Sequence, residues 1–331
     1  MTVLPTGVTI EKAVLLAGRA PSLHNSQPWR WTFDGAALRL FAVPERLLPA
    51  TDPHRRQLLI SCGVTLDHLR AAMAAAGWRC TVARFPDPNN HDHLATVTFR
   101  PAAIVTDADR ERADAIARRH TDRLPFAAPT GWDELETVLR TVVDPEDAIV
   151  SVLGPERRAR LAHASGLTAA VRRYDAEYQA ELRWWTGHSA AAGGVPRTAL
   201  ANPEEQARVG IGRAFPAATT ASRRAELDTD HAVVLVLSTV GDTPEELLRC
   251  GTALSTVLLE CTVAGSATCP LTHLTEDPRG RAVVQELTGR NDLPQVLVRV
   301  GTAPEPESET VSETETVTPR RPLADILAMP R

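Results

Sequence analysis

The 331-residue sequence lacks several features that mark whole classes of protein. Its formal net charge is −5, so it shows none of the basic excess that usually accompanies nucleic-acid binding. Its five cysteines include no C-x-x-C pair, the usual sign of a zinc site or a dithiol redox motif. No apolar run approaches the ~20 residues that span a bilayer, and the N-terminus shows no secretory signal pattern. We therefore expect a cytoplasmic protein without nucleic-acid or membrane partners.

Metal ligands and disulfides are also scarce. The cysteines are odd in number and not closely paired, so we expect them to be reduced, with Cys62, Cys250 and Cys261 buried in apolar helical runs. The segment "NHDH" at 90–93 lies among prolines, aspartates and asparagines that are typical of a solvated turn. We therefore predict no metal site.

The apolar patterns that are present predict alternating helices and strands. The run "HAVVLVLST" at 231–239 is continuously apolar, which is typical of a central strand buried on both faces. Other strands are predicted at 38–43, 95–100, 148–154 and 294–301. Helices are predicted at 9–18, 55–77, 107–119, 155–185 and 243–265.

Two of the long helices repeat each other in sequence. Aligning 58–77 with 246–265 matches Leu59 with Leu247, Cys62 with Cys250, Gly63 with Gly251, Leu66 with Leu254, Ala76 with Ala264 and Gly77 with Gly265. A glycine inside a helix costs about 1 kcal/mol relative to alanine unless close packing requires it. The repeated glycine therefore indicates helices that approach each other, or a partner, closely. Shared apolar matches between unrelated amphipathic helices remain the alternative.

The stretch "RAPSLHNSQPWRW" at 19–31 packs hydrogen-bonding side chains between two prolines. Its "APSLHNSQPW" resembles the "PSxxNxQPW" segment of the FMN-dependent nitroreductase family. "RHTDRLPF" at 119–126 resembles that family's "RxSxR" motif, with threonine in place of serine, and "GSATCPL" at 265–271 and "PRRPLADIL" at 319–327 resemble its later segments. More narrowly, the chain resembles the dormancy-associated Acg-type branch of actinobacterial nitroreductase-like proteins.

The resemblance implies an α+β, nitroreductase-like fold. Ordinary members are homodimers in which one protomer supplies the serine and asparagine segment and the other supplies "RxSxR". Here the first motif lies in 1–105 and the second in 106–331. The resemblance therefore implies two fused halves, a monomer acting as an intramolecular pseudo-dimer with one FMN per chain. It also implies that the N-terminal half is the degenerate one and supplies cross-interface contacts.

The resemblance and the chemistry of FMN together nominate the binding residues. A guanidinium matches phosphate oxygens bidentately, and the candidates are Arg119, Arg123, Arg320 and Arg321. Ser22, Asn25, Gln27 and Thr121 suit the ribityl chain and the ring edge. Pro270 and the backbone of Leu271, Thr272 and His273 would pack on the ring. Thr272, where many members carry glutamate, and His273 are the candidates for catalytic help, although His273 can equally be structural and a flavin needs little acid–base help.

The segment from about 186 to 214 is rich in glycine, which is typical of lids over active sites. A disordered surface insertion is the alternative. We expect the rings of Trp184 and Trp185 to latch it against the core. The predicted function is an FMN-binding oxidoreductase that passes electrons from NAD(P)H to a small acceptor. The alternative is an FMN-sequestering, storage or regulatory flavoprotein whose covered flavin turns over poorly.

Overall fold

The computed structural model describes residues 3–187, 193–216, 221–304 and 318–329. The helices are α1 Gly7–Ala17, α2 Arg56–Ala75, α3 Asp107–Arg118, α4 Trp132–Val142, α5 Arg158–Arg172, α6 Ala176–Gly187, α7 Pro203–Val209, α8 Pro244–Val263, α9 His273–Glu276, α10 Pro278–Thr288 and α11 Leu323–Ile326. The strands are β1 Trp29–Phe33, β2 Leu38–Ala42, β3 Trp78–Arg84, β4 His93–Pro101, β5 Ile149–Leu153, β6 Val233–Thr239, β7 Ala267–Leu271, β8 Leu293–Gly301 and β9 Leu327–Ala328. The predicted α+β class is confirmed.

The strands form two sheets, one for each half of the chain. The first has the order β3-β4-β2-β1-β9, and the second has the order β5-β6-β8-β7. Strand β6 pairs with a neighbour on each side, which confirms the central position that its apolar run predicts. The short β9 runs parallel to β1, with Trp31 opposite Leu327. The C-terminus therefore completes the sheet of the N-terminal half, which the predicted boundary at 105/106 does not anticipate.

Helices α2 and α8 cross at the glycines that the repeat matches. A Cβ built on Gly63 would lie 2.1 Å from the carbonyl oxygen of Leu248, and one built on Gly251 would lie 2.1 Å from that of Ile60. Each contacted carbonyl lies three residues before the partner glycine, so the two contacts are reciprocal. Neither position has room for a side chain, which explains why both helices carry glycine despite its cost.

Helix α2 also shows why apolar composition alone does not define a membrane span. By length and composition it is the one helix in the described ranges that could cross a bilayer, but 83% of its apolar window is buried inside the protein. Its side chains share one hydrophobic core with α8 and with both sheets. Cys62, Cys250 and Cys261 are buried and free, as predicted. The helix therefore belongs to the core.

Several elements depart from the sequence patterns. The helical stretch predicted at 155–185 is two helices, α5 and α6, with the bend between them at Arg173–Asp175. Strands β1 and β3 and helices α4 and α10 were not predicted. The "NHDH" segment does not remain a loop throughout, because His93 begins β4. The described residues contain no group of three or more His, Cys, Asp or Glu side chains that could hold a metal.

Candidate functional site

The stretch after α1 forms a tight, strained turn. His24, Asn25 and Gln27 have positive φ angles of 49°, 58° and 49°, a conformation that is uncommon for residues other than glycine. The turn is held by a hydrogen bond from the Leu23 N–H to Ser61 Oγ (3.3 Å) and by one from the Gln27 N–H to Ser22 Oγ (2.9 Å). Backbone strain of this kind is typical of functional sites.

The three polar residues predicted in this turn have different positions. Ser22 lines both cavities described below. Asn25 lines the second cavity, where its Nδ2 donates to the carbonyls of Gly194 (3.0 Å) and Pro319 (2.9 Å). Gln27 is not among the lining residues of either cavity, and its Oε1 accepts the backbone N–H of Arg321 (2.8 Å). Gln27 therefore anchors the C-terminal segment.

One cavity, of about 280 Å³, lies between the turn, α2, α5, the β7–α9 corner and residues 201–215. We call it the ring cavity. Thr121, Arg123, Pro270, Leu271, Thr272 and His273, all predicted site residues, contribute to its lining, together with Ser22. The sequence-derived residues from both halves of the chain therefore meet in one place.

Three buried polar atoms in the ring cavity have no hydrogen-bond partner within the described ranges. They are His24 Nε2, Gln57 Nε2 and His273 Nδ1. Burial, followed by the charges of Arg213 and Arg123, holds the pKa of His24 well below its usual value. Burial and Arg213 lower the pKa of His273 to about 3. The cavity thus offers two neutral imidazoles and an amide to a ligand with a polar edge, because such atoms are costly to leave unpaired.

His273 and Thr272 also have structural partners. His273 Nε2 lies 2.8 Å from Ser165 Oγ, which accepts the Gly212 N–H at 3.3 Å. The Thr272 hydroxyl donates to Glu276 Oε1 (2.6 Å) and accepts from Arg213 (3.2 Å). Thr272 is therefore committed to a hydrogen-bond network, whereas His273 keeps one nitrogen for the cavity.

The second cavity, of about 430 Å³, shares Pro21, Ser22, Thr121 and Arg123 with the first. We call it the basic cavity. Arg19, Arg119 and Arg320 line it, and Arg119 Nε and Nη1, Arg320 Nε and Arg19 Nε have no partner in the described part of the chain. Burial and the charges of Arg320 and Arg19 lower the pKa of Arg119 to about 9. Guanidiniums that crowd one another with spare donors form an anion site.

The other arginines of the region are already engaged. Arg321 donates to the carbonyls of Gln27 (3.2 Å), Trp29 (2.9 Å) and Asp325 (2.7 Å), and it is not among the lining residues of either cavity. The structure thus brings Arg119, Arg123 and Arg320 to the site and places Arg321 beside Gln27. Arg123 lies over the Phe215 ring, with its guanidinium carbon 5.1 Å from the ring centroid.

Much of the predicted lid is described, with residues 188–192 outside the described ranges. Val195, Thr198 and Ala199 line the basic cavity, and several residues between Ala201 and Phe215 line the ring cavity. The Arg213–Glu276 ion pair, with side chains only 6% and 2% exposed, ties this segment to α9. Trp184, one of the two tryptophans expected to latch the segment, is 61% exposed, and the latch stays a prediction. The carbonyl of Trp185 accepts the Val195 N–H (2.8 Å).

Several lining residues were not predicted from the sequence. Arg19 and His24 lie inside the quoted stretch 19–31, but the family pattern leaves both positions open. Gln57 belongs to α2, where a polar residue in an apolar helix was the available signal. Arg213 falls in the predicted lid, and its partner Glu276 is distant in sequence, so no local pattern connects them.

The two adjoining cavities thus combine unpaired polar atoms in one with partly unpaired guanidiniums in the other. No family model matches the chain. The chain is 49% identical over 325 residues to "Putative NAD(P)H nitroreductase acg" of Mycobacterium tuberculosis (strain H37Rv), covering 98% of this chain and 96% of the relative. It is 36% identical over 334 residues to "Putative NAD(P)H nitroreductase Rv3131" of the same strain, covering 99% and 94%. The chain belongs to this nitroreductase family, in the branch of acg, as its motifs imply.

Solved structures give a more distant similarity. A protein described as a "putative nitroreductase" from Anabaena variabilis aligns with 81% of this chain and 69% of its own at 9% identity and a TM-score of 0.47. The FMN-dependent nitroreductase NfnB from Mycobacterium smegmatis, in complex with NADPH, aligns with 68% of this chain and 100% of its own at 16% identity and a TM-score of 0.41.

Proposed function

We propose that the chain is an FMN-binding, nitroreductase-like oxidoreductase with one FMN per chain. The observation that carries the proposal is the pair of joined cavities. One has His24, Gln57 and His273 atoms without hydrogen-bond partners in the described residues, and the other is lined by Arg19, Arg119 and Arg320, which keep donors without such partners. A flavin ring suits the first cavity and a phosphate suits the second.

Different residues would bind the phosphate, the ribityl chain and the ring of FMN. Arg119 and Arg320 would hold the phosphate through charge-assisted hydrogen bonds. Ser22 and Thr121, which line both cavities, lie where a ribityl chain would pass. Pro270 and Leu271 would pack on the ring, while His24 and His273 face its polar edge or a second ligand. When bound, FMN would supply the hydride acceptor, so the protein needs to bind, orient and exclude water.

We further propose that the two halves form an intramolecular pseudo-dimer that is complete as a monomer. The reciprocal contacts of Gly63 and Gly251 support a local two-fold relation between the halves. The turn at 19–27 comes from the first half, and Arg119 and Pro270 come from the second. The test is stoichiometry, because flavin released by heat should approach one equivalent per monodisperse 35.8-kDa chain. Two equivalents, or a flavin bound only by a dimer, would overturn the proposal.

The catalytic part of the proposal is that NAD(P)H reduces the flavin and a small acceptor reoxidises it. The cover formed by residues 193–215 favours a second candidate, FMN sequestration, because its buried Arg213–Glu276 pair holds it on the cavity. Anaerobic addition of NADPH to the yellow protein separates the two. Rapid bleaching followed by reoxidation with a quinone supports the oxidoreductase, whereas a persistent yellow colour supports sequestration. A cytoplasmic location, without nucleic-acid or membrane partners, is part of the same proposal.

A further inference from the structure

The loop at residues 222–227, which we call the arginine loop, contacts both the cover and the segment that supplies Arg119. Its Arg223 and Arg224 line the basic cavity. Arg224 has a positive φ angle of 54°, a conformation that is uncommon for residues other than glycine. Strained backbone of this kind persists only where the surrounding contacts hold it. The contacts of the arginine loop therefore determine how this wall of the cavity is held.

The guanidinium of Arg223 is bound to the cover. Its Nη1 donates to the carbonyl of Thr198 (2.8 Å), and its Nη2 donates to the carbonyl of Leu200 (2.5 Å). Its Nε and Nη2 each lie 3.0 Å from a carboxylate oxygen of Glu205, a residue of α7 with no solvent exposure. Glu205 also accepts the N–H of Asn202 (2.7 Å) at the start of that helix. One guanidinium thus holds the cover along residues 198–205.

The guanidinium of Arg224 is bound to the other wall of the basic cavity. Its Nη2 donates to Asp122 Oδ2 (2.6 Å), and its Nη1 donates to the carbonyl of Pro125 (3.0 Å). Asp122 is 6% exposed and lies between Thr121 and Arg123, which line both cavities. Adjacent residues of the arginine loop therefore hold the cover and the predicted phosphate-binding motif.

Arg208, on helix α7 of the cover, holds the backbone of the arginine loop. Its Nη1 donates to the carbonyls of Arg224 and Leu227 (2.8 Å to the second). Its Nη2 donates to the carbonyl of Arg223 (3.1 Å) and to Ser222 Oγ (2.8 Å). Arg208 is not among the lining residues of either cavity. The cover, the arginine loop and the phosphate-binding motif are thus joined by one continuous set of hydrogen bonds.

The charges in the basic cavity favour an anion when the cover is closed. Arg19, Arg119 and Arg320 line it together with the cover residues Thr198 and Ala199. Burial and the neighbouring guanidiniums lower the pKa of Arg119 to about 9 and that of Arg320 to about 10. These cations repel one another, so enclosing them without a counter-charge costs free energy. An anion in the cavity removes that cost.

We propose that a phosphate group in the basic cavity holds the cover closed, with Arg208 and Arg223 as the positioning residues that connect the two. The inference rests on the proposed function, in which FMN brings the phosphate. The coupling is reciprocal, so closure of the cover retains the phosphate as strongly as the phosphate retains the cover. Access to the ring cavity then depends on the end of the flavin that takes no part in electron transfer.

The first test uses inorganic phosphate and the full-length chain without flavin. Hydrogen–deuterium exchange of the α7 amides at 203–209 reports opening of the cover. Sodium phosphate should slow this exchange about tenfold relative to sodium chloride of the same ionic strength. Exchange in α4, whose residues line neither cavity, should not change. Isothermal titration of phosphate provides the concentration at which the cavity is saturated.

The second test removes the connection and leaves the arginines of the cavity in place. Arg208→Met should still bind phosphate, but phosphate should no longer slow exchange in α7. Arg208→Lys keeps the charge without the planar fork that reaches four acceptors, so it should also lose the effect. Arg160→Met is the matched control, since Arg160 forms an exposed ion pair with Glu286 and should behave as the wild type does. Phosphate protection that is unchanged in Arg208→Met, or retained in Arg208→Lys, would refute the role of the arginine loop.

The third test needs no variant and decides the matter if thermal unfolding shows that the Arg208 variants do not fold. At saturation, FMN should slow exchange in α7 more than riboflavin, which lacks the phosphate. Equal protection by the two flavins, with FMN bound more tightly, would refute the coupling and leave the phosphate site standing. If titration shows neither phosphate binding nor a preference for FMN over riboflavin, the phosphate site itself is wrong and the inference falls with it.

Discussion

The two long helices that cross at the glycine pair have very different surroundings. Helix α2 faces the ring cavity through Gln57 and Ser61. In the register that matches Gly63 with Gly251, Ser61 corresponds to Arg249 on α8. Arg249 lies 3.6 Å from both Glu146 and Asp147, which follow α4. The α2 side thus borders the ring cavity, where Gln57 Nε2 has no hydrogen-bond partner in the described residues, and the α8 side is closed by ion pairs.

Helix α4 contributes to the closure. Its buried Leu135 and Leu139 belong to the same core as α8. The positions that the repeat matches are leucine, cysteine, alanine and glycine, and they build the helix crossing. The positions where the halves differ, such as Ser61 and Arg249, decide which side has a cavity. The residues that match between the two helices therefore build the crossing, whereas the residues that differ determine which side forms the cavity.

The largest expected effect tests the symmetry of the crossing. Gly63→Ala and Gly251→Ala should each lower the free energy of unfolding by about 3 kcal/mol, because the new methyl group overlaps a backbone carbonyl that only a shift of the helices can relieve. Chemical denaturation measures both. Gly166→Ala is the control, since a Cβ there meets nothing within 4 Å and should be neutral or stabilising. A large cost at one crossing glycine and none at the other would contradict the reciprocal packing.

The next effect distinguishes the two sides of the helix crossing. We call the α2 side, which borders the cavities, the open side, and the α8 side, where Arg249 forms ion pairs, the closed side. Arg119→Ala should weaken FMN binding by about 1.5–3 kcal/mol and barely change riboflavin binding, because a charge-assisted contact to the phosphate is lost. Arg249→Ala, on the closed side, should affect neither flavin. Isothermal titration with both ligands provides the measurement.

Arg321→Ala is the sharper control for the same prediction. The sequence nominates both Arg321 and Arg119 as phosphate-binding residues. In the structure, however, the Arg321 guanidinium donates hydrogen bonds to three backbone carbonyls. Its removal should loosen the C-terminal segment and weaken both flavins to a similar extent. If the variant bound FMN more weakly but riboflavin as well as the wild type does, Arg321 would be a phosphate-binding residue.

The sequence predicts the family, the α+β class, the core strands and the glycine crossing because these follow from motifs and apolar periodicity. Arg119, Thr121 and Pro270, which its motifs nominate, line the cavities, and their role in binding stays a prediction. The sequence cannot separate Arg320 from the adjacent Arg321, because their roles depend on which side of the chain the turn at 25–27 occupies. The Arg213–Glu276 pair could not be predicted from the sequence, because only the folded chain brings the two distant charges together.

A smaller effect concerns pH and belongs to the open side. The pKa of an unfolded histidine is about 6.5, whereas the pKa of His273 is lowered to about 3. Between these two pKa values the unfolded chain binds more protons than the folded chain. The contribution of the neutral His273 to the free energy of unfolding is therefore fully present above pH 6.5 and is lost as the pH falls. Proton linkage at His273 therefore lowers the free energy of unfolding by about 2 kcal/mol as the pH falls from 6.5 to 5.

His273→Gln should flatten the pH dependence of stability in that window by the same amount, measured by urea denaturation at pH 7 and pH 5. Asp52 changes stability in the opposite direction, because burial raises its pKa to about 6. The difference between wild type and variant isolates the histidine. Equal slopes for the two proteins would mean that His273 is solvated or charged in the fold.

The smallest effect tests the cover that only the open side carries. Replacing Arg213 with Met together with Glu276→Gln removes the buried pair without stranding one charge, a loss that alone would cost several kcal/mol. If opening of the cover limits reduction, the double variant should be reduced by NADPH about tenfold faster and release FMN faster, since about 1.4 kcal/mol of closure is lost. Dithionite, a small reductant, should reduce both proteins at similar rates, which separates access from a change in the flavin. Deleting residues 188–212 should push both effects in the same direction. NADPH reduction that is rapid in the wild type and unchanged in both variants would show that the cover never closes over the reacting face.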